Sequence, residues 1–120
     1  MSNYIDGFLI PLPKDKVDQY AAIASKAGDI WKEHGALEYW ECVADDLEVK
    51  DMVSFTRSAN AGPDDTVIFA WAVFKSREHR DEVNARIHAD PRLMEICDPA
   101  NPSFDYKTMA YGGFKTLIKK

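Results

Sequence analysis

Three features of this 120-residue sequence predict an α+β fold of the ferredoxin-like plan, βαββαβ with an antiparallel sheet. Four stretches carry the apolar patterning of strands. Two longer stretches between them carry the spacing of amphipathic helices. Their order is strand, helix, strand, strand, helix, strand, which is the split βαβ arrangement. No linker or low-complexity tract interrupts it, so one domain over residues 1–120 is expected.

The first strand is read at residues 3–12. Tyr4, Asp6, Phe8 and Ile10 fall on one face, Ile5, Gly7 and Leu9 on the other, and Pro11 and Pro13 are expected to stop it. Residues 14–34 form a helix whose apolar arc holds Val17, Tyr20, Ile23, Ala24, Ala27, Ile30 and Trp31, with Gly35 as its left-handed end. In the second strand, residues 36–44, Leu37, Tyr39, Glu41 and Val43 oppose Glu38, Trp40 and Cys42. Residues 48–65 are left open as strand or loop: "NAGPDD" is a turn cluster, while "MVSF" suits an extension of that strand or a short extra one. "TVIFAWAVF", residues 66–74, is apolar on both faces and reads as a central strand.

Ser76 suits the N-cap of a second helix, residues 77–90, with a thin stripe of Val83 and Ile87 flanked by His79 and Arg80. Pro91 is expected to end it, because the residue before a proline avoids the helical region. A proline-rich loop follows, with one helical turn at "RLMEI", and the last strand lies within residues 104–118. There "YGGF" matches the "YIDGF" of the first strand. In the ferredoxin-like order these strands are neighbours, so Gly7, Gly112 and Gly113 either bend the sheet or floor a pocket.

In this plan the helices cover one face of the sheet only. The first and third strands are apolar on both faces, so the other face needs a cover. A second copy of the chain is the simplest, and a homodimer is expected.

Composition excludes several partners. The chain has 20 acidic and 15 basic residues and a net charge of −5, which argues against a nucleic-acid partner. No apolar run approaches a membrane span, and the N-terminus lacks a basic start before an apolar stretch, so a cytoplasmic location is expected. Cys42 and Cys97 offer neither a disulfide framework nor a metal spacing. Two reduced thiols fit that location.

The segments "YIDGFLIPLP", "WKEHGALEYWECVADD", "DDTVIFAWAVFKSREHRDEVN", "DPR" and "FDYKTMAYGGF" resemble the YbaA-like family, a bacterial domain of unknown function. The resemblance runs in order over nearly the whole chain. It implies membership of the dimeric α+β barrel superfamily, in which two ferredoxin-like subunits face each other sheet to sheet. That superfamily holds cofactor-free monooxygenases, haem-degrading enzymes, isomerases and regulatory ligand-binding modules. The resemblance therefore implies no single reaction and supplies no catalytic residues.

The candidate sites rest on residue chemistry. His34, beside the helix end and four residues before Glu38, is a candidate general base; it equally suits a helix-end histidine favoured by the dipole. Asp6 interrupts an apolar strand and is a second catalytic candidate: buried, it needs a partner and suits a proton acceptor; alternatively it sits at the sheet edge or pairs with Arg92 or a lysine. Asp105 raises the same question less strongly. A pocket for a flat apolar ligand would draw on Trp31, Trp40, Trp71, Tyr39, His79 and Tyr111, although aromatic rings also serve as core filling. His79 and His88 lie on opposite sides of one helix and cannot share a metal, so no metal or cofactor is expected. Cys42 lacks a cationic neighbour in sequence and reads as filler. Three functions follow. One is a binding protein for a small apolar or aromatic ligand. Another is a cofactor-free monooxygenase- or isomerase-like enzyme. The third is a structural dimer with a self-filled core.

Overall fold

The computed structural model describes residues 2–97 and 102–120. Its elements are β1 (Tyr4–Pro13), α1 (Val17–Glu33), β2 (Glu38–Val43), α2 (Phe55–Ser58), β3 (Asp65–Phe74), α3 (Arg77–His88), α4 (Pro91–Ile96) and β4 (Ala110–Lys115). The strands form one antiparallel sheet in the order β2-β3-β1-β4. This is the ferredoxin-like α+β arrangement expected from the sequence.

β1 runs through Pro11 to Pro13 instead of stopping at the first proline. The register explains this. The Lys14 N–H donates to the Asp64 carbonyl at 3.0 Å, so even-numbered N–H groups of β1 face β3. Those of residues 11 and 13 would face the β4 side, where pairing ends at Leu9 opposite Ala110. A proline there forfeits no ladder bond.

The "MVSF" segment forms neither of the two strand alternatives. Val53 is exposed, and a single helical turn follows, capped by Ser54, whose hydroxyl accepts from the Arg57 N–H at 3.1 Å. Pro91 ends the path of α3 and also starts α4. Asp90 caps α4 by accepting from the Arg92 N–H at 2.9 Å, and proline is tolerated in a first turn, where no N–H is required. The proline-rich loop lies partly outside the described residues.

α1 and α3 pack on one face of the sheet in two apolar clusters. Ile10, Leu12, Tyr20, Ala24, Ile68 and Ala70 form one; Ile30, Ala36, Ala72, Phe74, Val83 and Ile87 form the other. The thin stripe of α3 suffices because Val83 and Ile87 are wholly buried. Each such side chain contributes on the order of 2 kcal/mol of apolar burial. The chain turns from α1 into β2 at Gly35, whose φ of 120° is closed to most side chains.

The opposite face carries no helix from α1 or α3. Trp40 stacks on Trp71 with centroids 5.3 Å apart and planes at 15°; Phe69 lies 5.5 Å from Trp71, and Phe55 of α2 lies 5.8 Å from Phe69. In register, Trp40 pairs with Trp71, Trp71 with Gly7, and Gly7 with Gly112. The Phe114 ring lies beside both glycines: a Cβ on Gly7 would stand 3.4 Å from it and one on Gly112 3.7 Å. The glycines thus leave a floor between aromatic walls. Phe114 is 63% exposed and Trp40 49%.

Candidate functional site

An open groove of about 710 Å³ lies between α1 and β2. Val17, Ala21, Ala24 and Gly28 supply its α1 wall, and Tyr39, Glu41 and Val43 its strand wall. Helical spacing on α1 and alternation on β2 bring these residues to one side.

Three of its lining residues form a hydrogen-bonded knot. The Tyr20 hydroxyl donates to Glu41 Oε1 at 2.7 Å, and the Tyr39 hydroxyl donates to Oε2 at 2.6 Å. Burial pushes the Glu41 carboxyl above its ordinary range, against the two phenol hydrogen bonds, which pull it down. Burial and the neighbouring carboxylate push both phenols well above theirs. The Tyr39 ring lies so close to α1 that a Cβ on Gly28 would stand 2.9 Å from its Cδ1.

The residues singled out by sequence are dispersed. Tyr39 and Trp40 line the groove. The Trp40 indole instead stacks on Trp71 on the helix-free face, and its Nε1–H donates to Glu38 Oε1 at 3.1 Å. Trp31 lies 5.9 Å from Tyr39, packed against the second core cluster, and its buried Nε1 meets no acceptor among the described residues. His79 Nδ1 accepts from the Lys75 N–H at 3.0 Å, and its ring lies edge-on to Phe74. Tyr111 packs on Phe8 beside Arg80. Tyr39 and Tyr111 project from the helix face of the sheet and Trp40 and Trp71 from the other, while Trp31 and His79 come from α1 and α3.

His34 does not approach Glu38. The positive-φ turn at Gly35 keeps His34 on the helix side, while Glu38 faces the other way. His34 Nε2 lies 2.8 Å from Asp90 Oδ2. Arg92 joins the same carboxylate at 2.8 Å and Glu33 at 2.6 Å, while Arg86 Nη2 donates to the His34 carbonyl at 2.6 Å. The Arg92 and His34 hydrogen bonds hold Asp90 well below the usual carboxylate range. This cluster ties the end of α1 to the α3–α4 junction.

Asp6 is 1% exposed, and its partner is neither Arg92 nor a lysine. Arg80 Nη1 donates to its Oδ1 at 2.6 Å, and Asn84 Nδ2 donates to Oδ2 at 3.4 Å. The guanidinium also covers the Tyr4 ring at 4.9 Å. Asp105 caps a short helical turn, accepting from the Lys107 N–H at 3.0 Å. Cys42 pairs with Phe69 across β2 and β3.

Sequence reasoning passed over Tyr20 and Glu41 as site residues. A trace of them was present. Glu41 falls on the face shared by Leu37, Tyr39 and Val43, and Tyr20 lies in the apolar arc of α1.

Among the described residues no group of His, Cys, Asp and Glu is arranged to hold a metal ion, and no helix is long and apolar enough to cross a membrane.

The fold and groove define an α+β protein of ferredoxin-like topology with a half-buried carboxylate between its first helix and an edge strand. The chain belongs to the family described as "Protein of unknown function (DUF1428)", whose model matches residues 3–106. It is 38% identical over 115 residues to "Uncharacterized protein YbaA" of Escherichia coli K12, covering 96% of this chain and 97% of that one; the Shigella flexneri protein of the same name matches equally. Two solved structures share the fold. One is a NIPSNAP family protein with unknown function from Agrobacterium tumefaciens, with TM-score 0.56 and 19% identity over 95% of this chain and 87% of that one. The other is described as a dimeric ferredoxin-like protein from an uncultured marine organism, with TM-score 0.57 and 8% identity over 98% and 96%.

Proposed function

We propose that this protein is a homodimeric small-molecule-binding protein of the cytoplasm. Its ligand has an apolar or aromatic body and enters the groove between α1 and β2. The observation that carries the binding is the groove itself: about 710 Å³, open to solvent, with apolar walls and polar oxygens gathered at one point. Sites for small organic ligands have this make-up.

The second copy supports the same reading from the other side of the sheet. The Trp40, Trp71, Phe69 and Phe114 face is more apolar than monomers usually expose. A relative of the same fold is described as dimeric. A sheet-to-sheet dimer covers that face and leaves the groove, on the helix side, open to solvent.

Calorimetric titration with 2-naphthylmethanol, a neutral aromatic probe, tests the binding. Saturable one-to-one binding per chain is expected, and Ser25→Trp, on the exposed α1 rim of the groove, abolishes it. Absence of saturable binding, or binding unchanged in Ser25→Trp, overturns the reading.

A further inference from the structure

The hydrogen-bond inventory of the groove sets the charge of what it binds. Each phenol carries one hydrogen. Tyr20 commits its hydrogen to Glu41 Oε1 and Tyr39 commits its own to Oε2. These three side chains therefore offer lone pairs only: those left on the two carboxylate oxygens and those of the two phenol oxygens. A ligand that also offered only acceptors would leave these oxygens facing its own, and desolvating them unpaired is costly.

The surrounding charges lean the same way. Among the described residues that line the groove, Lys32 is the one cationic side chain, and its Nζ donates to the Leu37 carbonyl at 2.7 Å. Asp29 stands on the α1 wall.

We infer that the groove takes a small organic cation, an apolar body bearing a protonated amine, with the ammonium against Glu41 and the body along α1. This rests on the groove being a binding site. It adds the chemical class of the ligand. The ammonium supplies the donors that the knot lacks, and the charge-assisted bond to the carboxylate exceeds a neutral one in strength.

The test compares three probes of one shape on the full chain by calorimetry at neutral pH: 2-naphthylmethylamine, 2-naphthylmethanol and 2-naphthoate. The amine is expected to bind about tenfold more tightly than the alcohol, with the carboxylate weakest. In Glu41→Gln the amine's advantage over the alcohol disappears. Val43→Lys keeps the test alive if Glu41→Gln does not fold. Val43 is exposed, on the same strand face as Glu41, and a lysine there competes for the carboxylate and removes the amine's advantage. Equal binding of amine and alcohol, or preference for the carboxylate, overturns the cation assignment and leaves the groove standing. An amine advantage that persists in both variants also overturns it, because the net charge of −5 then attracts the cation elsewhere. No binding by any of the three overturns both the assignment and the groove.

Discussion

Arg80 reaches Asp6 over the helix face of the sheet, across a position that only a glycine leaves clear. Asp6 pairs with Gly113 across β1 and β4, and a Cβ on Gly113 would fall against the Tyr4 hydroxyl and 2.9 Å from Arg80 Nη1. The guanidinium passes over that backbone to a carboxylate that is 1% exposed. One of the paired Gly-Phe units thus serves the helix face, as a passage for a cation. Gly7 and Gly112 serve the other face.

Removing that cation leaves a buried carboxylate uncompensated. Arg80→Met is expected to cost about 2–4 kcal/mol, somewhat below a fully buried pair because Arg80 keeps some contact with water. Asp6→Leu combined with Arg80→Met recovers most of the loss. Urea unfolding midpoints check both, and a double variant no more stable than the single one contradicts the pairing.

Gly28 reverses a familiar rule. Glycine inside a helix normally gains roughly 0.5–1 kcal/mol on change to alanine. Here the new methyl would stand 2.9 Å from the Tyr39 ring, which must move off Glu41. Gly28→Ala is expected to lose about 1–2 kcal/mol and to weaken binding of 2-naphthylmethanol. A stabilised variant with intact binding contradicts the close contact.

Glu41 gives a pH dependence of definite sign. Its folded pKa lies above the ordinary 4.5, so the folded chain holds the proton more tightly than the unfolded one. The corresponding stability is present below about 4.5 and is lost as pH rises through the folded value. Glu41→Gln does not titrate, so its stability relative to the wild type increases from pH 4 to pH 7. Asp90 runs the other way, contributing above the ordinary carboxylate range and losing that contribution as pH falls, but it does so in both proteins. Urea midpoints at the two pH values check the sign, and a relative stability that falls with pH contradicts it.

The sheet-to-sheet dimer predicts a mass twice the chain's 13.6 kDa by sedimentation equilibrium at micromolar concentration. Phe114→Lys, which places a charge on the helix-free face, is expected to give a folded monomer. A monomeric wild type contradicts the proposed cover.

Strand and helix order was legible because period and punctuation agree along most of the chain. β3, apolar on both faces, could only be central, and Ser76 capped α3 as its side chain demands: the hydroxyl accepts from the His79 N–H at 3.0 Å. The two prolines of β1 misled because their cost depends on which neighbour the missing N–H would face, and that is set by where β4 stops. The site was less legible for a similar reason. His34 and Glu38 are close in sequence, but one positive-φ residue sends them to opposite sides of the sheet. Asp6 announced itself as a charge inside a strand. Its partner Arg80 lies far along the chain, and only the packing of α3 joins them. Glu41 was the same kind of charge on an apolar face, and its two phenols come from different elements.

The central claim is that the groove at Glu41 is where a small molecule binds. Amide chemical shifts followed while 2-naphthylmethanol is added to the isotope-labelled protein test it most directly. The account predicts saturating shifts at Ala21, Ser25, Tyr39, Glu41 and Val43. Shifts confined to the Trp40, Phe69, Trp71 and Phe114 face, or none that saturate, would contradict it.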